Sequence, residues 1–277
     1  MLTEFSPEQI EQYRQQGYVV IENFLEPDEL QHWREVTDAA MRTRLAAKGA
    51  AILSNQADPE AFYAQVFTQC VRLADVYPPM AEIMFDERLG RLAATLAGVD
   101  GIRIWHDQAL VKQAYGNHTA FHFDNPFWSF HSPHAISLWL ALDDATLANG
   151  CLWYIPSTHL QAKFESVGIG QNLGDLFKAY PQWKKIDAAP AVCRAGGAVY
   201  HNGLIAHGAG VNMTSHPRRA MTCAYMPDGS TFNGQQNVLP DDYFNSLKIG
   251  DLLDDESWNR LIWHKDGRHR QLHPAGA

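Results

Sequence analysis

The chain has no block of lysine or arginine. Its 22 basic residues are scattered among 31 acidic ones, for a formal net charge of −9. Nucleic acid and anionic membrane surfaces both need a basic footprint, so neither is expected as a partner. Cysteine is scarce: Cys70, Cys151, Cys193 and Cys223 stand far apart with no CxxC pair. That excludes a zinc knuckle and a disulfide framework, and fits reduced, buried thiols in a cytoplasmic protein. No apolar run reaches membrane-spanning length, no N-terminal signal pattern is present, and there is neither an internal repeat nor a low-complexity segment.

What remains is ordinary globular material. A hydrophobic share of 46% gives 277 residues ample apolar surface for one large domain. Many of the 8 Trp, 10 Tyr and 13 Phe must be core, but so many also suit a lined pocket.

The first hundred residues read as helical support. In "FSPEQIEQYRQQG" Ser6 is placed to cap a helix, with Pro7 in the first turn, Gln9 closing a capping box, Phe5 and Ile10 as a staple, and Gly17 as the stop. "YVVIENFL" then reads as a strand. Helices are predicted from Pro27 to about Lys48, over 58–76 and over 79–98. After Gly101 short strand-like segments follow one another to about residue 230, separated by Gly, Asn, Asp and Pro and interrupted by a partly helical insertion at 160–188. The C-terminal extension, 231–277, reads as helical over 240–265, with "GRHRQLHPAGA" as a loose tail. The pattern predicts one domain over 1–277, mainly β with helices: a jelly roll, a closed double sheet of cupin-like form over 101–230, with the N-terminal helices packed on one side.

One stretch carries chemistry. In "TAFHFDNPFW" the alternation of a strand would place His122 and Asp124 on one face and Phe121 and Phe123 on the other. Alone, such a pair reads first as a hydrogen-bonded His–Asp and only then as two ligands of a metal. A third ligand has two candidates in "GGAVYHNGLIAHGAG", His201 and His207, each at the end of a strand. Eleven residues beyond His207, Arg218 opens the strand "RRAMTCAY", where its planar fork suits a carboxylate. Arg219 is its only rival, and adjacent strand residues face opposite ways.

Taken in order, "HFD" at 122–124, "ALDDATLANGCLWYIPSTH" at 141–159, "HGAGVNMTSHPRRA" at 207–220 and the opening "YRQQGYVVIENFLEPDEL" resemble the phytanoyl-CoA dioxygenase family, over roughly residues 5–226. The resemblance implies a double-stranded β-helix and a non-haem Fe(II) oxygenase dependent on 2-oxoglutarate and O2. It implies His122, Asp124 and His207 as the iron ligands, and Arg218 as the holder of the distal carboxylate of 2-oxoglutarate. Gln108 in "HDQALVK" and Trp139 in "SLWLALDD" fall where the family places cosubstrate contacts. Ala209 departs from the serine frequent in the family's "HGSGPN". Trp128, Phe127, Phe130 and the 160–188 insertion flank the HxD strand and are the expected pocket walls.

The chemistry so implied is hydroxylation of a small organic molecule with release of succinate and CO2. The acidic charge disfavours a bulky anionic CoA ester, and retention of Asp124 disfavours halogenation. The competing reading is a jelly roll that holds a metal without oxidising anything, as a cupin-type isomerase or hydrolase or as a ligand-binding module; Arg218 discriminates, since a metal hydrolase needs no anchor for a dicarboxylate.

Overall fold

The computed structural model describes residues 1–47, 66–165 and 167–272. Helix α1 (Pro7–Gln16) is capped as its sequence dictates. The Gln9 amide donates to Ser6 Oγ, the Ser6 amide donates to Gln9 Oε1, and Gly17 ends the helix in the left-handed region at φ 83°. Strand β1 (Tyr18–Ile21) and helix α2 (Pro27–Ala46) follow. The helix predicted over 79–98 is two, α3 (Pro78–Met84) and α4 (Glu87–Ala97), because Asp86 restarts the chain by accepting the Arg88 amide.

Two further expectations are overturned. Of the helix predicted over 58–76, residues 58–65 lie outside the described residues. The rest holds a strand, β2 (Thr68–Val71), which ends where Arg72 turns left-handed at φ 56°. Of the helix predicted over 240–265, only α6 (Asp241–Ser246) forms, and Leu261–His264 is strand β11. Both strands pair with one edge of β3 (Gly101–Lys112), β11 along its start and β2 along its end. A waiting strand edge overrides local propensity. Nor is all of the tail loose: Arg268–Leu272 forms α7, whose Arg270 donates twice to Glu87 on α4.

The remaining strands are β4 (Thr119–His122), β5 (Ile136–Ala141), β6 (Leu152–Tyr154), β7 (Ala189–Ala191), β8 (Ala198–Asn202), β9 (His207–Ala209) and β10 (Arg218–Pro227). Between β6 and β7 the chain forms 3-10 turns and the short α5 (Leu176–Ala179). A major sheet runs β1-β8-β5-β10-β3-β11, with β2 also on β3, and a minor sheet runs β4-β9-β6-β7; all pairs are antiparallel. The fold is a double-stranded β-helix, and β1, β2 and β11 join its major sheet from outside 101–230.

Alternation along the strands sorts the two faces of the major sheet. Ile136, Leu138 and Leu140 of β5 and Met221, Cys223 and Tyr225 of β10 bury against α2, α3 and α4. Their neighbours Ser137, Trp139, Arg218, Thr222 and Ala224 look the other way, into a cavity of about 100 Å³ whose far wall includes Thr119, His122, His207 and Gly208. Among the described residues no helix is long and apolar enough to cross a membrane.

Candidate active site

β4 and β9 lie so close that a Cβ on Gly208 would stand 2.7 Å from the Thr119 carbonyl oxygen. The ladder sets His122 opposite His207, with their rings 4.3 Å apart. Each imidazole is held by its own backbone: His122 Nδ1 donates to the Ala120 carbonyl at 2.8 Å and His207 Nδ1 to that of Ile205 at 3.1 Å. Both Nε2 lone pairs are thereby left for another partner.

Asp124 joins them by a route the alternation did not foresee. Strand β4 ends at His122, and Asp124 has helical torsions (φ −87°, ψ −51°) at the head of a 3-10 turn, Asn125–Phe127. The Gly203 carbonyl accepts the amides of both Asp124 and Asn125, at 3.1 and 2.9 Å, and so turns the chain. Buried Asn125 fixes the loop beyond, donating to the Phe130 carbonyl and accepting the Ser132 amide. The expected convergence is present, but a turn produces it.

Asp124 Oδ1 lies 3.6 Å from His122 Nε2 and 3.7 Å from His207 Nε2. These distances are too long for hydrogen bonds, and the three atoms lie within 4.8 Å of one another, which is the spacing of groups that can hold a metal ion. Burial, then the neighbouring His207, pushes His122 down to about 4, so it is neutral and able to ligate at pH 7. Burial pushes the Asp124 carboxyl up, but His207, His201 and His122 outweigh it and hold the group well below the usual carboxylate range. Two neutral imidazoles and one carboxylate suit a divalent first-row metal.

His201, the other candidate, is in the same cluster but differently engaged. Its Nε2 is 3.2 Å from Asp124 Oδ2, and its Nδ1 is 3.0 Å from the Tyr154 hydroxyl. Neither the Tyr154 contact nor Ser137, whose Oγ also donates to Asp124 Oδ2 at 3.3 Å, was read from the sequence. Strand parity would have found Ser137, two residues before Trp139.

At the other end of the cavity Arg218 is 2% exposed, and its Nε and Nη1 have no hydrogen-bond partner. Burial lowers it to about 10, so it remains a cation. Its guanidinium carbon lies 5.0 Å from the centroid of the Trp139 ring, a cation–π arrangement. Lys112, opposite Arg218 in the β3–β10 register, is fully buried and donates to the Asn117 carbonyl at 2.6 Å; burial, then Arg218, pushes it down to about 7. A buried, unpartnered guanidinium is costly unless an anion completes it. Arg219 faces away and bonds Asp143 and Asp38. Gln108 and Trp139 flank Thr222 on either side in the ladder and line the cavity, where the Gln108 amide oxygen accepts from Gln69. Of the expected walls, Trp128 lines the cavity, whereas Phe130 is buried in a cluster with Trp105. Phe127 and residues 160–188 are not among the described lining residues.

A double-stranded β-helix with a His/Asp/His cluster at one end of its cavity and an uncompensated arginine at the other has the architecture of a 2-oxoglutarate-dependent iron dioxygenase. The particular group is fixed by sequence. The model of the phytanoyl-CoA dioxygenase family matches residues 13–220, and the chain belongs to that family. A phytanoyl-CoA dioxygenase of Arabidopsis thaliana is 22% identical over 246 residues, covering 78% of this chain and 86% of that protein. Among solved structures, the α-ketoglutarate-dependent carbocyclase SnoK from nogalamycin biosynthesis superposes with a TM-score of 0.75 at 23% identity, over 94% of this chain and 97% of its own. EctD from S. alaskensis, solved with 2-oxoglutarate and 5-hydroxyectoine, gives a TM-score of 0.71 at 19% identity, over 89% and 85%.

Proposed function

We propose that this dioxygenase, working as one domain over residues 1–277, hydroxylates a small organic molecule. In this reading His122, Asp124 and His207 hold Fe(II), and Arg218 holds the distal carboxylate of 2-oxoglutarate, with Gln108 and Trp139 as further cosubstrate contacts. The observation that carries it is Arg218: a guanidinium buried with two nitrogens unpartnered, in the same cavity as the metal-type cluster. A non-oxidative jelly roll would have no use for that charge.

The bound iron would couple oxidative decarboxylation of 2-oxoglutarate by O2 to insertion of one oxygen atom into a substrate C–H bond. The protein's part is ligation, orientation and exclusion of water. The backbone carbonyls of Ala120 and Ile205 keep the two imidazoles in the ligating tautomer. Arg218 has donors on Nε and Nη1 that no protein group takes up and that a carboxylate can accept, and the Trp139 ring holds the guanidinium in place. The cytoplasmic setting remains part of the proposal.

The test is succinate release by the purified protein with Fe(II), 2-oxoglutarate and a metabolite library. The expected result is substrate-dependent succinate together with a product heavier by one oxygen atom. Metal-dependent turnover of a library member without succinate, by a protein whose 2-oxoglutarate binding is indifferent to Arg218→Ala, would replace this reading with the non-oxidative one.

A further inference from the structure

The two oxygens of Asp124 have different surroundings. Oδ1 faces His122 Nε2 and His207 Nε2 and takes a hydrogen bond from neither. Oδ2 has two donors, His201 at 3.2 Å and Ser137 Oγ at 3.3 Å. A carboxylate can only accept, so the proton between His201 and Asp124 sits on His201 Nε2. On the other edge of the ring, His201 Nδ1 meets the Tyr154 hydroxyl at 3.0 Å. The contacts form one chain, Tyr154 to His201 to Asp124. Tyr154 and His201 are buried, 0% and 4% exposed, while the Asp124 side chain is 24% exposed. Its members alternate between the sheets, Tyr154 on β6 of the minor sheet and His201 on β8 of the major.

We propose that His201, oriented by Tyr154, is a positioning residue that occupies Asp124 Oδ2 and so restricts Asp124 to a single-oxygen ligand through Oδ1. The inference rests on the ligand set proposed above. Without His201, Asp124 keeps its backbone anchor at Gly203, but its carboxylate is free to rotate and to present both oxygens. A ligand supported in this way typically loses about 10–100-fold in metal affinity when its support is removed. His201 is not itself a ligand in this arrangement, because its Nε2 lone pair is consumed by the proton it donates.

The experiment titrates the full-length protein, freed of metal, with Co(II), following affinity and the visible d–d spectrum. His201→Ala should lower affinity about 10–100-fold and change the spectrum. His201→Gln, whose amide can still donate to Oδ2, should recover most of both. Tyr154→Phe should fall between, since His201 then loses the contact at Nδ1 that orients its ring. His207→Ala is the control and should lose binding altogether. Wild-type affinity and spectrum in His201→Ala, with binding lost in His207→Ala, overturns the positioning role alone. Failure of His201→Gln to recover anything overturns it too. Unchanged affinity in His207→Ala brings down the ligand set on which the inference rests. Should His201→Ala fail to fold, Tyr154→Phe decides: wild-type affinity and spectrum there count against the relay.

Discussion

His122 and His207 are direct partners across the β4–β9 ladder, and each gives its Nδ1 proton to the carbonyl two residues before it. The same local device, used twice, turns two Nε2 atoms toward Asp124 Oδ1. Replacing either histidine by alanine should reduce metal affinity beyond the about 10–100-fold typical of an outer hydrogen-bond partner. Calorimetric titration with Fe(II) under argon, or with Mn(II), checks it; unchanged affinity in either variant dissolves the proposed ligand set.

The closeness of that ladder depends on Gly208. A methyl there would meet the Thr119 carbonyl at 2.7 Å, and backbone cannot step aside as a side chain can. Gly208→Ala should cost about 1–3 kcal/mol of stability and weaken metal binding as β9 is pushed from β4. Denaturant unfolding read beside metal titration tests the pair of effects; a variant with undisturbed metal affinity would show that the ladder tolerates the methyl.

Arg218 and Arg219 should part company on mutation. Arg218→Ala removes the cation the cavity holds for a carboxylate, and should weaken 2-oxoglutarate binding by about 2–5 kcal/mol with metal affinity little changed. Arg219→Ala breaks bonds to Asp143 and Asp38, and should lower the melting temperature while leaving cosubstrate affinity alone. Binding of 2-oxoglutarate to the two metal-loaded variants separates them; the reverse ranking would mean that the inward face of β10 has been misjudged.

Asp124 bears on the reaction outcome. A carboxylate at that position leaves no vacancy for halide on the proposed metal. Turnover in excess chloride or bromide should give an oxygenated product with no halogen isotope pattern in its mass spectrum, and Asp124→Ala should abolish oxygenation. A halogenated product from the unmodified protein would remove Asp124 from the ligand set.

The docking of α7 should follow Glu87. Hydrogen bonding from Arg270, then from His269, lowers the Glu87 carboxyl from 4.5 to about 2 despite partial burial. A carboxylate depressed in the folded state adds stability that is present above its unfolded value and is lost as pH falls through the folded one. The α7 contact should therefore hold at pH 5 and release between about 4.5 and about 2, while Glu87→Gln weakens it throughout. Hydrogen exchange at residues 268–272 as a function of pH reads this directly; an acid transition equally present in Glu87→Gln would assign it elsewhere.

Much of this was legible because the physics is local or periodic. Ser6, Gln9 and Gly17 wrote out both ends of α1, and strand parity said that only one of Arg218 and Arg219 could face inward, the family resemblance naming Arg218. The strands β2 and β11 were not legible, since "TQCV" and "LIWH" become strands only beside an edge of β3 supplied by distant residues. His122 and Asp124 were rightly paired for the wrong geometric reason: nothing in "HFDNP" announces that the Gly203 carbonyl, 79 positions on, gathers two amides and turns the chain. The family resemblance chose His207 over His201 as ligand. The structure adds the contacts that His201 makes instead, which join side chains from two strands and a turn.

The metal-type donors His122, Asp124 and His207 all belong to the minor sheet or the turn that ends it, while Arg218, Trp139 and Gln108 belong to the major one. Iron and 2-oxoglutarate bound together would thus form a strut between two walls that the cavity otherwise holds apart. Asp124 already ties the two sheets through Ser137 and His201, and bound reactants would add a second tie. A substitution that slides one sheet past the other, however far from the cavity, would change the span of that strut and so the fit of both ligands at once.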